Sequence, residues 1–384
     1  MIMAWTALVL ASVTFGQTAN QAAEPTAAVG PGVEEKLSTG KFAELPAIEG
    51  RPANLGETLP ARRSPGTLVY DGVLYVAGGH VAADAHAFEA VTFLTSFQAY
   101  DLTKGEWHNL AAKPHAGRFS SLVGHGGKIY CFGGFFGETP ATADWKSYDV
   151  VDVYDIATNQ WTTLETRMPH RRSQHAVVQL GEKVYLVGGW DTAVLSEGSP
   201  EGQSKEEAKE AHQRAFIRTI DVFDLKTQSF EPARFEMPVS GRRAFSAIAW
   251  ENKIVISGGF GDKPGSFLNT IDVLDPAATD ASQAWTSFPE LPSKMIFPMI
   301  IDLKGTLYLT GGTTRSGKLE KAYGLFTRED GSATVKQWTE LESFQPDERV
   351  ERTLVRASDS AWLAVGGRFE NDDLSADIVE ISAR

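Results

Sequence analysis

Six short apolar segments, each ending in a pair of glycines, recur along the chain. They read VLYVAGG, KIYCFGG, KVYLVGG, KIVISGG, TLYLTGG and AWLAVGG. The glycine pairs stand at 78–79, 133–134, 188–189, 258–259, 311–312 and 366–367, with spacings of 55, 55, 70, 53 and 55 residues. Short apolar runs rich in β-branched and aromatic residues, bounded by glycine, predict β-strands. The pattern therefore predicts a β-unit repeated six times.

Each unit contains further strand signals around its glycine pair. An apolar strand, often opened by arginine, lies upstream, and a third strand downstream ends in an aromatic residue followed by aspartate. Those endings are Tyr100-Asp101, Tyr154-Asp155 and Phe223-Asp224, and the large aromatics that follow are Trp107, Trp161 and Phe230, with Trp285 and Trp338 in later units. Four short strands per unit are typical of a propeller blade.

The order of arginine, apolar strand, Gly-Gly, Tyr-Asp and Trp resembles the kelch family. The resemblance covers residues 40–384 and implies an all-β fold, a six-bladed kelch β-propeller. Glycine allows backbones to approach closely, aromatic rings fill space between blades, and aspartate accepts hydrogen bonds from turn amides. Kelch propellers serve many roles, so the resemblance does not by itself define a function.

The sixth unit ends at its third strand, residues 377–382, and no tryptophan strand follows. Residues 41–46, KFAELP, place Phe42 where the tryptophan of other units stands. We therefore expect this N-terminal strand to close the last blade, which would remove an open sheet edge.

The N-terminus contains an uncharged apolar run at residues 4–15. Since a membrane span needs about 20 residues, this run suits a signal peptide instead. We expect a signal peptide at 1–22, a flexible lead-in at 23–40, a single propeller domain at 41–384 and an exported protein, periplasmic or extracellular, with no integral membrane segment in the mature chain. No basic residue precedes Lys36, which leaves an unstructured tail as the alternative.

Composition narrows the function classes. The chain has 384 residues, a net charge of −13 and one cysteine, Cys131. The acidic balance argues against nucleic acid as a partner, and a single cysteine excludes an intrachain disulfide or a cysteine-cluster zinc site. No phosphate loop or dinucleotide fingerprint is present, so no cofactor is predicted.

Arginines recur at one phase of the repeat, in the loops before the first strand of every unit except the fifth. In a blade, these loops and the segments after Gly-Gly open on the same face. The arginines are Arg62-Arg63, Arg118, Arg171-Arg172, Arg242-Arg243, Arg349 and Arg352. We predict that Arg63, Arg118, Arg172 and Arg243 form a positive mouth that binds an anion. The alternative is that these arginines hold loops by bonding to carbonyls and aspartates.

If the arginines form such a mouth, the residues directly after each glycine pair should face it too. They are His80, Phe135, Trp190, Phe260, Thr313 and Arg368. Among them we expect His80, Trp190 and Arg368 to contact a ligand, with capping of the blade core as the alternative. The longest insertion, at about 190–216, contains a predicted charged helix that opens at Ser204.

Two catalytic hypotheses rest on single loops. His80, Asp84 and His86 have loose spacing for metal ligands, which favours a solvated loop, and no metal is predicted. The second hypothesis is a similarity to the exported sialic-acid mutarotase (N-acetylneuraminate epimerase) group, at GGFGDKPGSFLNT, residues 258–270. Lys263-Pro264-Gly265 matches that group and makes Asp262 a candidate acid–base residue, but Ser266 or Phe267 stands where an arginine is expected.

The sequence therefore favours an exported propeller that binds an anionic sugar or a protein segment at its arginine face. The alternative is a sugar mutarotase or epimerase, so enzymatic activity stays open. A third interpretation is an intracellular kelch adaptor, which requires that residues 1–22 are not a signal peptide.

Overall fold

The computed structural model describes residues 48–53, 59–82, 84, 88–141, 144–196, 205–263, 265–330, 333–369, 371 and 373–383. In these ranges the fold is all-β, built from antiparallel sheets with few helices. The helices are α1 (Ala193–Ser196), α2 (Lys205–Ala215) and two 3-10 turns at Ala90–Thr92 and Ala281–Gln283. None of these helices is long and apolar enough to cross a membrane.

Within the described ranges, six sheets of four antiparallel strands follow the sequence repeat. Sheet 1 contains Gly66–Tyr70, Val73–Ala77, Phe97–Asp101 and Glu106–Leu110; sheet 2 contains Ser121–His125, Lys128–Phe132, Val151–Asp155 and Gln160–Thr163; sheet 3 contains Ala176–Leu180, Lys183–Val187, Thr219–Asp224 and Ser229–Glu236. Sheet 4 contains Ser246–Trp250, Lys253–Ser257, Ile271–Leu274 and Trp285–Phe288; sheet 5 contains Ile300–Leu303, Thr306–Leu309, Tyr323–Asp330 and Ala333–Glu340; sheet 6 contains Thr353–Ser358, Ala361–Val365, Ile378–Ala383 and Ile48–Pro52. Each glycine pair follows a second strand, as the repeat predicts.

Short strands and bridges join the loop before each first strand to the segment after the glycine pair. The short strands that join the two segments are Arg242–Arg243 with Phe260–Gly261 and Met295–Ile296 with Thr313–Thr314. Two further short pairs lie within the segment after a glycine pair, Phe135–Gly137 with Trp145–Ser147 and Thr313–Thr314 with Gly317–Lys318. Single bridges pair Arg63 with His80, Arg118 with Phe135, Ser173 with Trp190 and Val350 with Arg368. The two segments therefore meet at one end of each sheet, which we call the glycine end.

The fourth strand of sheet 6 is Ile48–Pro52, which runs antiparallel to Ile378–Ala383. The predicted strand at 41–46, with Phe42, lies outside the described residues, so the edge of sheet 6 is formed by a different segment from the one we expected. Only Ile48 is buried in the observed strand, which has the burial pattern of an outer edge. A strand with one buried side chain has almost no hydrophobic alternation, so the sequence pattern did not identify it.

Neighbouring sheets contact one another through their first strands. These contacts join sheet 6 to sheet 1, and then sheets 1 to 2, 2 to 3, 3 to 4 and 4 to 5. Between sheets 5 and 6, the indole Nε1 of Trp362 donates to the carbonyl oxygen of Asp302 at 2.7 Å. From the fourth strand of sheet 2, Trp161 Nε1 donates to the carbonyl oxygen of Ala111, which follows the fourth strand of sheet 1, at 2.8 Å. The tryptophans thus contribute both apolar area and a hydrogen bond between sheets.

The aspartates that end the third strands accept hydrogen bonds in tight turns, as the sequence predicts. Asp101 Oδ1 accepts from the amides of Thr103 and Lys104, each at 3.0 Å. Asp224 Oδ1 accepts from the amides of Lys226 and Thr227, each at 2.8 Å. These turns lie at the end of the sheets opposite the glycine end and fix the third-to-fourth strand connection.

Candidate functional site

Seven arginines at the glycine end fall into two sets that differ in what their guanidinium groups contact. Arg62, Arg172 and Arg242 are completely buried, at 0% exposure. Their Nη1 atoms donate to the first glycine carbonyl of their own repeat, at Gly78 (2.9 Å), Gly188 (2.6 Å) and Gly258 (3.3 Å). Their other terminal nitrogen reaches the third strand, at Gln98, Asp221 and Asp272. This first set holds each sheet together at its glycine end.

Arg172, which we predicted to contact a ligand, belongs to this buried set. Burial lowers the pKa of Arg172, and its partner Asp221 acts in the opposite direction. The side chain therefore bonds within sheet 3, to Gly188 and Asp221.

The second set comprises Arg63, Arg118, Arg243, Arg368 and a carboxylate, Glu351, which together we call the arginine cluster. Arg63, Arg118 and Arg243 occupy the same repeat position before sheets 1, 2 and 4, and Arg368 follows the glycine pair of sheet 6. Their charges act on one another, since Arg63, Arg243 and Arg368 all disfavour protonation of Arg118. The structure thus brings four predicted residues from different repeats to one place.

Arg118 lies buried between aromatic rings. It is 7% exposed, and its Nε is buried without a hydrogen-bond partner among the described residues. Its Cζ lies 4.7 Å from the ring centroid of Phe119 and 4.9 Å from that of Phe88. Burial is the main reason that the pKa of Arg118 falls to about 10. Aromatic faces hold the cation in place while leaving its hydrogen-bonding capacity unused.

Arg243 has a similar aromatic support. Its Cζ lies 4.7 Å from the ring centroid of Trp190 and 5.0 Å from that of Phe260. Its Nη1 donates to Gln174 Oε1 at 2.6 Å. Trp190 is only 2% exposed, and its ring packs against the Arg243 guanidinium. This position matches the alternative in which Trp190 caps the core of its sheet.

His80 is also buried, at 0% exposure, with its ring 4.7 Å from that of Phe93 and 5.7 Å from that of Phe88. The imidazole therefore belongs to the aromatic layer below the cluster. Its bridge to Arg63 fixes the backbone that presents that arginine.

Six residues that the sequence analysis did not single out line the cavity beside the cluster. One precedes each first strand, and each has a left-handed backbone: Ser64 (φ 51°), Phe119 (φ 59°), Gln174 (φ 51°), Ala244 (φ 53°), Phe297 (φ 47°) and Glu351 (φ 56°). We call them the mouth residues. The cavity they border, about 630 Å³ in volume, extends along the first strands of the sheets. Three of them, Ser64, Phe119 and Ala244, had a signal in the sequence, since each directly follows one of Arg63, Arg118 and Arg243.

The mouth residues bond to one another through their backbones. The amide of Phe119 donates to the carbonyl of Ser64 at 2.9 Å, and that of Phe297 donates to Ala244 at 2.6 Å. These bonds offset the cost of the left-handed conformation, which non-glycine residues adopt rarely. The left-handed residue turns the chain between the arginine and the first strand, so its side chain faces the cavity.

Glu351 is the acidic member of the arginine cluster. Its Oε1 accepts from Arg368 Nε at 3.0 Å. Burial opposes ionisation of Glu351, but Arg368, Arg118 and Arg63 outweigh that effect and hold the pKa of Glu351 below its usual range. The cluster as defined thus contains four positive charges and one negative charge.

Asp262, the candidate acid–base residue, lies half-buried in the loop after Phe260. No hydrogen bond or ion pair joins it to another described residue, and it is not a member of the arginine cluster. His86, of the discarded metal hypothesis, lies outside the described residues. Those residues contain no group of three or more His, Cys, Asp or Glu that could hold a metal ion.

Comparisons with known proteins agree with this architecture. The KLHDC2/KLHL20/DRC7 Kelch-repeats domain matches residues 48–197, and the Kelch motif matches residues 241–292. A solved structure described as "Structure of YjhT" superposes with a TM-score of 0.66 at 16% identity, covering 85% of this chain and 98% of that chain. That similarity concerns the fold alone.

Curated relatives include kelch-like protein terF of Aspergillus terreus, 23% identical over 317 residues, which cover 72% of this chain and 66% of the relative. N-acetylneuraminate epimerase of Pasteurella multocida is 30% identical over 223 residues, covering 52% of this chain and 57% of the relative. The matches thus span less than two thirds of the length of these relatives.

The repeated sheets, the glycine ends and the buried arginines define an all-β repeat protein. Together with the matches to kelch models at residues 48–197 and 241–292, they show that the chain contains kelch repeats, and it is distantly similar to the N-acetylneuraminate epimerases.

Proposed function

We propose that the chain is an exported six-bladed kelch propeller that binds an anionic saccharide at the arginine cluster. The six four-stranded sheets, the contacts from each sheet to the next and the pairing of Ile48–Pro52 with Ile378–Ala383 support a closed ring of blades. The apolar run at 4–15 supports a signal peptide at 1–22 and a lead-in at 23–40.

The observation on which the binding proposal depends is the desolvated guanidinium of Arg118. A buried cation with unused donors is unfavourable unless an anion or ordered water pairs with it. Arg63, Arg243 and Arg368 add positive potential at the same place. A carboxylate, sulfate or phosphate group matches the planar donor arrangement of a guanidinium.

The surroundings of the cluster favour a saccharide as the body of the ligand. Phe297 stacks on Phe119 and adds a second aromatic ring at the mouth, and aromatic rings pack against the apolar faces of sugar rings. Ser64 and Gln174 add hydroxyl and amide groups at the same mouth. The cavity lined by the mouth residues, about 630 Å³ in volume, has the size of a small-molecule site, and Glu351 is the member of the arginine cluster that lines it.

Calorimetry of the full chain with N-acetylneuraminate, glucuronate and neutral glucose tests the proposal. We expect the two acids to bind and glucose not to bind. Arg118→Leu should weaken binding of the acids at least about tenfold, since it removes a charge-assisted contact. Arg171→Leu is the matched control, because Arg171 is an exposed arginine at the same glycine end.

Unchanged affinity in Arg118→Leu would contradict the assignment of the site. Binding of none of the acids, together with capture of an acidic peptide that Arg118→Leu loses, would instead indicate a protein segment as the ligand.

A sugar mutarotase is the second candidate, and the N-acetylneuraminate epimerase relatives favour it. The loop that contains Asp262 starts at Phe260, whose ring lies 5.0 Å from Arg243 Cζ, so an acid–base group would stand near the anion site. Exchange of N-acetylneuraminate anomers, measured by NMR, should then accelerate with the wild-type chain and return to the buffer rate with Asp262→Asn. Asp71→Asn, at an exposed turn far from the cluster, is the control. An exchange rate equal to that of buffer would exclude this activity.

A further inference from the structure

Glu351 places a buried carboxylate directly inside the proposed anion site. Its side chain is 14% exposed, and Oε1 is bonded to Arg368 Nε at 3.0 Å. Its second oxygen, Oε2, has no hydrogen-bond donor among the described residues. As a mouth residue, Glu351 borders the cavity into which a ligand would enter. One acceptor oxygen is therefore available to a bound molecule.

A carboxylate at this position acts in two opposite ways on an incoming anion. It accepts hydrogen bonds but donates none when ionised, so it favours a ligand that offers a hydroxyl or an amide N–H. It also repels a second negative charge that has no donor to place between them. The arginines hold the pKa of Glu351 below its usual range, so both effects operate at neutral pH.

We propose that Glu351 is a specificity-determining residue that accepts a hydrogen bond from the ligand. The site would then select carboxylates that carry a hydroxyl or amide N–H and disfavour bare anions of the same size. The inference rests on the proposed binding of an anionic saccharide at the arginine cluster and adds the chemical feature by which the saccharide is distinguished.

Two monoanions of similar ring size test whether Glu351 favours a ligand with a hydrogen-bond donor over a bare anion. Glucuronate has a carboxylate on a hydroxylated six-membered ring, and cyclohexanecarboxylate has the same charge on a ring without hydroxyls. The measured quantity is the ratio of their affinities for the full chain, by calorimetry. We expect the wild-type chain to favour glucuronate by at least about tenfold, since a hydrogen bond to a charged group has that value.

Glu351→Gln retains the length of the side chain and removes its charge. Cyclohexanecarboxylate should then bind more tightly, and the ratio should fall at least about tenfold. Glu351→Asn is the second variant, because asparagine tolerates the left-handed backbone that this position requires. Glu348→Gln, three residues earlier and exposed, is the matched control and should leave the ratio unchanged.

The outcomes separate this inference from the proposed function. If the wild-type chain binds neither acid, the proposed function fails and this inference fails with it. A second outcome is that the wild-type chain binds glucuronate and Arg118→Leu abolishes that binding, which supports the proposed function. If Glu351→Gln then leaves the affinity ratio of the two acids unchanged, or strengthens the binding of both acids equally, only the role of Glu351 is overturned. An equal gain for both acids would make Glu351 a counter-ion without selectivity.

Discussion

Phe119 and Phe297, from the repeats of sheets 2 and 5, stack with ring centroids 6.0 Å apart and planes within 5°. Both are mouth residues with left-handed backbones. They are 178 positions apart in the chain, so the stack exists only because the sheets bring distant repeats together at the cavity. Both rings line the cavity, and Arg118 Cζ lies 4.7 Å from the ring centroid of Phe119.

This contact should be measurable as a coupling energy. Phe119→Ala and Phe297→Ala, combined in a double-mutant cycle of chemical unfolding, should show a coupling of about 0.5–1.5 kcal/mol, as found for aromatic pairs. Additive effects of the two substitutions would show that the rings do not interact in solution.

Arg172 and Asp221 form a buried ion pair, so breaking it should affect stability and not ligand recognition. Arg172→Leu leaves Asp221 as a buried carboxylate without its arginine, and we expect a loss of about 3–5 kcal/mol of unfolding free energy. Its exposed neighbour provides the control, since Arg171→Leu should change stability by less than about 0.5 kcal/mol. If Arg172→Leu folds with wild-type stability but loses glucuronate binding, Arg172 is a ligand contact as the sequence analysis expected.

His175 should make the protein less stable in mild acid. Burial, with a smaller effect of Arg172, lowers the pKa of His175 from 6.5 to about 3. Well above pH 6.5, His175 is neutral in both the folded and the unfolded chain, so its contribution to the unfolding free energy is fully present. As the pH falls from 6.5 towards 3, only the unfolded chain takes up the proton, so stability is lost. Between pH 7 and pH 5 this loss should be about 2 kcal/mol for this residue.

Urea unfolding at the two pH values checks this expectation. His175→Gln should reduce the difference between pH 7 and pH 5, while His108→Gln, at an exposed position, should not. The same pH dependence in His175→Gln and in the wild-type chain would refute the assignment.

Gly78 shows why the glycine pairs recur. A Cβ atom at Gly78 would lie 2.4 Å from the carbonyl oxygen of Gly117, and the residue has φ 61°. Gly72 has a comparable φ of 75° but has nothing within 4 Å of the same position. Gly72→Ala should cost about 1 kcal/mol for the backbone alone, and Gly78→Ala should cost at least about 2 kcal/mol more because backbone must move. Equal thermal unfolding of the two variants would show that close approach is not the reason for the glycine.

The strands, the turns after the third strands and the repeat position of the arginines could be predicted from the sequence, because each depends on local chemistry. Apolar runs that end in Gly-Gly predict the strands and their ends, because glycine is required where two backbones meet. Asp101 and Asp224 predict turns because an aspartate accepts from amides two and three residues ahead. The repeat phase also predicts that Arg63, Arg118, Arg243 and Arg368 lie at one end of their sheets.

The tertiary structure decided what those arginines do. Arg62 and Arg63 are adjacent and identical in type, yet one lies inside its sheet and the other joins the cluster, because successive residues of extended backbone point in opposite directions. The edge strand Ile48–Pro52 and the carboxylate Glu351 had no pattern to reveal them, since one has a single buried side chain and the other gains its role from arginines of other repeats. The sequence pattern of the repeat determined which strands form. The packing of the sheets determined which side chains of distant repeats come together in the arginine cluster.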